Sequence, residues 1–183
     1  DEKIAICQPK LLSYTNKNEF EYAGAAGGYI DYLGYPFCAG RIFQHLEHDI
    51  GQYNKPREVF WASGAAMFIK SDIFHKEGGL DEDFFAHMEE IDLCWRVKNK
   101  GYKVFYCPFS TVYHLGGGTL NKISPKKTYL NFRNNLLLLY KNLPKKDYRK
   151  VMFLRFILDF IAAFVFLLTS SKAECKAVFQ ARR

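Results

Sequence analysis

The sequence predicts a mixed α/β fold in which helices flank a sheet and hydrophobic helices close the chain. Apolar segments with strand character lie at 3–12, 58–69 and 102–115. Segments with helical spacing lie between and after them. Hydrophobic residues make up 49% of the 183 residues and aromatic residues 17%, a composition that excludes a disordered chain.

The first half of the chain alternates strand-like and irregular sequence. The segment "KIAICQPKLL" predicts a short buried strand whose regular pairing ends at Pro9. Residues 15–43 are rich in glycine and aromatic residues without a sustained period, so we expect a long surface loop of functional importance. The run 58–69 is apolar at nearly every position, which is typical of strands buried on both faces. Ser63 and Gly64 interrupt it.

Two helices and another strand segment follow. "SDIFHKEGG" predicts a short helix with Ser71 as N-cap and Gly78 or Gly79 at its end. The segment "HMEEIDLCWRVKNKG" predicts a second helix that stops at Gly101. Residues 102–115 predict either a strand pair or one bent strand, and a triple glycine comes next.

The C-terminal part is helical and hydrophobic. The segment "KKTYLNFRNNLLLLYKNLP" predicts a helix closed by Pro144. The run 151–168 is long enough to approach a membrane span, but it carries Arg155 and Asp159, which are costly at mid-bilayer and lie one helical turn apart. We therefore favour an interfacial or core helix over the alternative of a membrane-spanning helix. Basic flanks favour an anionic membrane surface: Arg149, Lys150, Arg182 and Arg183.

Charge and cysteine usage narrow the class of protein. The net charge of +7 predicts an anionic partner, either a phosphate-bearing ligand, acidic lipid or nucleic acid. Nucleic acid is disfavoured because no recognisable binding motif is present. The five scattered cysteines form no C-x-x-C pair, so neither a disulfide framework nor a zinc cluster is indicated, and a reducing cytoplasmic compartment fits best. The start "DEKIAICQPK" does not have the pattern of a signal peptide.

The segment "HMEEIDLCWR" contains a cluster of three acidic residues within four positions, namely Glu89, Glu90 and Asp92. Acidic side chains in a first helical turn are stabilised by the helix dipole, which is one explanation. The other is a general base at the mouth of a site.

Three motifs stand in a fixed order: "WASGAAM" at 61–67, "GGLDEDFFAHMEEIDLCWRVKNKGYKV" at 78–104 and "VYHLGGG" at 112–118. Together they resemble the family 2 inverting glycosyltransferases of the GT-A fold, especially a bacterial branch of rhamnosyltransferases. The resemblance covers about residues 1–145. It implies the C-terminal portion of a GT-A nucleotide-diphospho-sugar transferase fold.

The resemblance assigns the acidic cluster to catalysis. Glu90 takes the position of the general base, where the family more often has Asp, and Glu89 is expected to orient the site. Asp92 belongs to the same cluster, but it also lies four residues before Arg96, so a structural ion pair is an equal alternative. His87 either lines the acceptor pocket or simply begins the helix.

The resemblance also implies a metal site and a donor site. His114 occupies the place of a metal-binding histidine, and the ion would be Mn²⁺ or Mg²⁺. The Asp-x-Asp that completes the metal site is expected upstream of Asp1, so the site is incomplete in this chain. Arg133 is a candidate diphosphate contact.

The "WASGAAM" motif and the triple glycine supply the remaining site predictions. Trp61, Ser63 and Gly64 are expected to shape the substrate pocket, although a packed strand kink explains them nearly as well. The triple glycine is expected to be a flexible hinge that suits a loop closing over bound donor.

The resemblance therefore implies an acceptor-side half of a catalytic domain at 1–123 and a helical, membrane-associated segment at 124–183. The whole enzyme would transfer a sugar from a nucleotide-diphosphate donor to a glycan or polyprenyl-linked acceptor, with inversion, in cell-surface polysaccharide synthesis. It would lie at the cytoplasmic side of the bacterial inner membrane. The isolated chain is expected to be inactive and to self-associate through exposed apolar surface. The alternative is a noncatalytic, membrane-associated interaction domain that keeps a degenerate glycosyltransferase fold.

Overall fold

The computed structural model describes residues 2–116 and 124–182, which divide into two units. The first contains 2–31, 36–81 and 90–116, and the second contains 32–35, 82–89 and 124–182. Two of the three glycines of the predicted hinge, Gly117 and Gly118, lie outside the described residues, as does the predicted boundary after residue 123. The division into 1–123 and 124–183 stays a prediction.

Strands occur in the first unit and long helices in the second. The strands are β1 (Ile4–Ser13), β2 (Gly28–Ile30), β3 (Pro36–Cys38), β4 (Arg41–Ile42), β5 (His45–Leu46), β6 (Arg57–Val59), β7 (Phe68–Ile69) and β8 (Lys103–His114). The helices are α1 (Ser71–Lys76), α2 (Glu89–Asn99), α3 (Pro125–Asn142), α4 (Lys145–Thr169) and α5 (Lys172–Gln180), with a 3₁₀ turn at Glu82–Phe84. The predicted α/β class is confirmed.

The first unit is built on a four-stranded mixed sheet in the order β6, β8, β1, β7. Strands β1 and β8 run parallel, and both edge strands pair antiparallel with their neighbours. Residues 102–115 therefore form one bent strand, as one of the two predictions had it. The core side chains of the central strands are fully buried: Ile6, Leu11, Val104 and Tyr106.

Pro9 does not end the pairing of β1, contrary to the prediction. The register shifts after it: Pro9 is paired with Cys107, but the next residue is paired with Thr111, so residues 108–110 fall between these partners. Proline has no N–H to donate to the ladder, and an irregularity at this point lets the pairing resume. Beyond it, Ser13 lies opposite His114.

The prediction for 58–69 is wrong in one respect. Its two strands, β6 and β7, are short edge strands rather than central ones, and Phe68 is 68% exposed. An apolar run predicted burial on both faces, but the chain leaves the four-stranded sheet after Val59 and rejoins it at Phe68. Residues 60–67 therefore lie outside this sheet.

Residues 15–43 are not a surface loop throughout, which corrects that prediction. Strand β2 pairs with β3, β4 pairs with β5, and Phe20, Ala25 and Ala26 are fully buried. These strands are only two or three residues long. Such short strands give no alternation that a sequence pattern could reveal.

Helices α1 and α2 end as predicted, but α1 begins differently. Its N-cap is Lys70, which makes no side-chain cap hydrogen bond, and Ser71 is the first helical residue rather than the cap. Gly78 and Gly79 follow the helix with φ of +79° and +70°, and Gly101 follows α2 with φ of +85°. Glycine adopts these values without a Cβ clash, which explains both helix ends.

The second unit packs α3, α4 and α5 together with the short segments 32–35 and 82–89. Ser124 caps α3 by accepting a hydrogen bond from the backbone N–H of Lys127 at 3.2 Å. Helix α3 stops at Asn142, before Pro144, as predicted. Ser171 caps α5 in the same way.

Helix α4 has charged residues inside and apolar residues outside. Its buried stripe is Val151, Arg155, Asp159 and Ala163. Nη2 of Arg155 lies 3.5 Å from Oδ1 of Asp159, which confirms the predicted pairing across one turn, and Arg182 also contacts Asp159. Large apolar side chains cover the exposed face: Phe153, Phe156, Ile157, Phe160, Ile161, Phe164, Val165, Leu167 and Leu168. Within 2–116 and 124–182, α4 is the helix with the length and composition to cross a membrane.

Candidate functional site

Glu90 lies in the first turn of α2, beside Gly64. Glu90 is half-buried, whereas Gly64 is exposed. A Cβ built on Gly64 would meet one atom within 4 Å, the Cβ of Glu90 at 4.0 Å. The missing side chain therefore leaves open space beside Glu90, into which a substrate hydroxyl can approach.

The segment next to Glu90 is fixed to α2 through Cys94. The backbone N–H of Ala62 donates to Sγ of Cys94 at 3.4 Å. Burial, with a smaller contribution from the negative charge of Glu90, raises the pKa of the Cys94 thiol to about 12. The thiol therefore stays neutral at physiological pH and serves to pack the segment against the helix.

Trp61 and Ser63 are engaged in packing. The indole N–H of Trp61 donates to the carbonyl of Tyr29 at 2.8 Å, and the ring lies so close to Gly28 that a Cβ there would come within 2.0 Å of it. The backbone N–H of Ser63 donates to Oε1 of buried Gln8 at 2.7 Å. These contacts support the packed-kink alternative, and the pocket role of both residues stays a prediction.

Asp92 forms the ion pair that the spacing allowed. Its carboxylate is fully buried, and Oδ2 lies 2.7 Å from Nε of Arg96. The same guanidinium donates to the carbonyl of Gly79 at 2.8 Å and to that of Glu77. Asp92 thus holds an arginine that ties α2 to the end of α1, which supports the structural alternative for this residue.

The chain enters α2 through a backbone conformation that is uncommon for residues other than glycine. Phe85, His87 and Met88 have φ of +62°, +72° and +75°. The fully buried side-chain amide of Asn134 donates to three carbonyl oxygens of this segment. They belong to residues 84, 86 and 87 and lie at 3.0, 2.8 and 2.7 Å.

His87 and Glu89, at the end of that segment, each have a buried polar side-chain atom. Nε2 of His87 and Oε2 of Glu89 have no hydrogen-bond partner among the described residues. Burial lowers the pKa of His87, and the positive charge of Lys127 lowers it further. A neutral imidazole and a carboxylate oxygen can both serve as hydrogen-bond acceptors for a bound hydroxyl.

Arg133 is held by backbone carbonyls. Its Nη2 donates to the carbonyls of Asp83 and Phe84 at 2.7 and 2.9 Å, and its Nε donates to Oδ1 of Asn134 at 2.8 Å. The guanidinium therefore helps fix the 3₁₀ turn. Its role as a diphosphate contact stays a prediction.

His114 stands at the end of β8, next to a carboxylate that the sequence did not single out. Its Nδ1 lies 3.4 Å from Oε1 of Glu21, whose side chain is 5% exposed. Among the described residues, no group of three or more His, Cys, Asp or Glu is placed to hold a metal ion. One imidazole and one carboxylate fit a divalent ion in part, so further oxygen ligands would be required.

Glu21 and Asn134 are the residues that sequence reasoning missed. Glu21 follows Phe20 in a segment with no motif, so no signal marked it. Asn134 left one signal, because "NFRNN" places two adjacent asparagines inside an otherwise apolar helical pattern. Buried amides inside a helix indicate specific hydrogen-bond partners.

Parts of the chain are similar to named glycosyltransferases. Over 58 residues it is 36% identical to N-acetylglucosaminyl-diphospho-decaprenol L-rhamnosyltransferase of Mycobacterium tuberculosis, covering 32% of this chain and 19% of that protein. Over 88 residues it is 30% identical to the low-salt glycan biosynthesis hexosyltransferase Agl10 of Haloferax volcanii, covering 48% and 29%. Over 56 residues it is 32% identical to rhamnosyltransferase WbbL of Escherichia coli, covering 31% and 21%.

These relatives are glycosyltransferases. The similarity supports the resemblance at that level, and the matched segments span less than a third of each relative's length. No protein-family model matches the chain.

Proposed function

We propose that this chain is the acceptor-side portion of a bacterial family 2 inverting glycosyltransferase with a GT-A fold. The observation that carries the proposal is the position of Glu90 beside the open space at Gly64, in a chain similar over 56 to 88 residues to glycosyltransferases. The reaction transfers a sugar from a nucleotide-diphosphate donor to a glycan or lipid-linked acceptor.

Glu90 acts as the general base in this proposal. It takes the proton of the acceptor hydroxyl while the oxygen attacks the anomeric carbon from the face opposite the diphosphate, which inverts the configuration. As the resemblance implies, Glu89 is proposed to help orient the site and His87 to line the acceptor pocket. Asp92 keeps α2 in place through Arg96 rather than taking part in the chemistry.

His114 would hold a Mn²⁺ or Mg²⁺ ion together with carboxylates from elsewhere in the whole enzyme. When bound, such an ion stabilises the negative charge that develops on the leaving diphosphate. This role is supported by the position of His114 at a strand end and by an imidazole that is 34% exposed.

The outward apolar face of α4 supports a location at the cytoplasmic side of the inner membrane. Basic residues lie around both ends of that helix, and they attract anionic headgroups: Lys145, Lys146, Arg149, Lys150, Lys172 and Lys176. A polyprenyl-linked acceptor is consistent with this location. In the absence of a membrane, the same face would promote self-association.

The proposal is tested with the intact protein, manganese and a panel of nucleotide sugars, by measuring the release of nucleoside diphosphate. We expect metal-dependent release by the wild type and a loss of about 100-fold or more in Glu90→Gln, because the amide cannot accept a proton. Asp72→Asn is a matched control, since Asp72 is an exposed acid in the first turn of α1.

Equal release by wild type and Glu90→Gln would remove Glu90 from the chemistry. No release with any donor would favour the noncatalytic, membrane-associated interaction domain instead. Loss of activity in Asp72→Asn to the same extent would show that the assay reports folding rather than catalysis.

A further inference from the structure

Glu21 and His114 form a buried contact at the strand end. Glu21 is 4% exposed, and its Oε1 faces Nδ1 of His114 across 3.4 Å. Nδ1 is buried and makes no hydrogen bond to any of the described residues. The other carboxylate oxygen, Oε2, accepts a hydrogen bond from the backbone N–H of Ala23. The backbone of Glu21 is fixed as well, because its N–H donates to the carbonyl of Leu11 in β1 at 3.0 Å. The carboxylate is therefore held before any ligand arrives.

Gly116 contributes a second, independent observation. A Cβ built on this residue would come within 2.5 Å of Oε1 of Glu21. The carboxylate thus occupies the space that any larger residue at 116 would need. This contact gives the first glycine of "HLGGG" a role distinct from that of a hinge.

We propose that Glu21 is a positioning residue for His114. A small rotation of the ring would turn this 3.4 Å contact into a hydrogen bond from Nδ1–H to the carboxylate. That bond would fix the tautomer and the ring orientation and leave Nε2 as the lone-pair nitrogen. Carboxylates commonly orient ligating histidines in this way. The proposal deepens the proposed function, since the ligand of Nε2 would be the divalent ion, but the Glu21 contact itself is independent of any ion.

The test is the tautomer of His114 in the metal-free protein. Protein labelled with ¹⁵N at histidine is observed by long-range ¹H–¹⁵N correlation at a pH where the imidazole is neutral, and the signal is assigned by its loss in His114→Gln. We expect the proton on Nδ1 in the wild type, whereas a free histidine in water prefers Nε2. Glu21→Met, which removes the acceptor at similar size, should return His114 to the Nε2–H form.

Two variants and one control make the outcome decisive. Glu21→Gln keeps a carbonyl acceptor and should retain more of the Nδ1–H form than Glu21→Met does. Gly116→Ala keeps Glu21 but displaces its carboxylate, so this variant should also shift the tautomer of His114. It replaces Glu21→Met in the test if that variant does not fold. Glu19→Gln is the control, because Glu19 lies in the same segment and faces His48 at 3.8 Å.

An Nε2–H tautomer in the wild type would overturn the proposal, as would a tautomer unchanged by both Glu21→Met and Gly116→Ala. Adding Mn²⁺ alone then tests the metal separately. We expect selective paramagnetic broadening of His114 in the wild type, with about tenfold more Mn²⁺ needed in Glu21→Met. An Nδ1–H tautomer without any broadening would support the role of Glu21 while removing the metal role from His114.

Discussion

The side-chain amide nitrogen of Asn134 lies 2.7 Å from the carbonyl oxygen of His87. This contact joins a helix to a backbone segment in which His87 itself has φ of +72°. A non-glycine residue in that region costs free energy, of order 1–3 kcal/mol, and persists only where its surroundings determine it. The hydrogen bonds of Asn134 are such surroundings.

We expect Asn134→Leu to lower the free energy of unfolding by about 3 kcal/mol, because buried carbonyls that lose their donor each cost about 1–3 kcal/mol. Urea denaturation measures the effect. Asn18→Leu is the control, since Asn18 is exposed. If both variants lost the same stability, the amide of Asn134 would not be holding the segment.

The pH dependence of stability should carry a contribution from His87. Its pKa is lowered in the folded protein from the ordinary value of 6.5, so the unfolded state takes up the proton first as the pH falls. Stability from this residue should be fully present above about pH 7.5, decrease as the pH falls through 6.5, and level off below the folded pKa. His87→Gln should flatten the curve of unfolding free energy between about pH 7.5 and 5.

The control for this measurement is His75→Gln, in which an exposed histidine of α1 is replaced. It should leave the curve unchanged. A slope that survives in His87→Gln would assign the pH dependence to other groups.

Asp159 should be essential to the stability of the second unit. It lies between the guanidinium groups of Arg155 and Arg182, and both Asp159 and Arg155 are 1% exposed. Asp159→Asn leaves a buried arginine without its counter-charge and should cost about 3 kcal/mol. Asp147→Asn, in the first turn of the same helix, should cost less than about 0.5 kcal/mol in urea denaturation. Equal losses would contradict a special role for the buried charge.

The outward face of α4 should bind anionic membranes. We expect co-sedimentation with vesicles that contain phosphatidylglycerol, and weaker binding to neutral vesicles. Replacing Phe153 and Phe164 with serine should weaken binding by roughly tenfold per residue, since each removes apolar area worth about 1.5 kcal/mol. Phe43 and Phe109 are phenylalanines outside α4 that are more exposed than Phe153 and Phe164, so serine at those positions should leave binding unchanged. Equal effects of the two pairs would contradict the assignment of the face.

The sequence predicted helix α4 and its internal ion pair, because spacing along one helix is a local property. It did not reveal that the charged stripe faces inward, since that depends on Arg182 and on Asn135, which also contacts Arg155. Glu90 was found through a motif, but Glu21 was not, because its relation to His114 arises only when β1 and β8 pair. The short strands of 15–43 were missed for a different reason, because two or three residues give no alternation to detect.

The irregularity after Pro9 has a consequence for which residue reaches the strand end. Continuous pairing from Pro9 and Cys107 would bring Thr111 opposite Ser13, whereas the observed register brings His114 there. Residues 108–110 therefore set the register between β1 and β8 at the C-terminal ends of these two strands. The number of residues in this irregularity decides whether the imidazole of His114 or the hydroxyl of Thr111 lies opposite Ser13. A change in that number would exchange one functional group for the other while the rest of the sheet stayed the same.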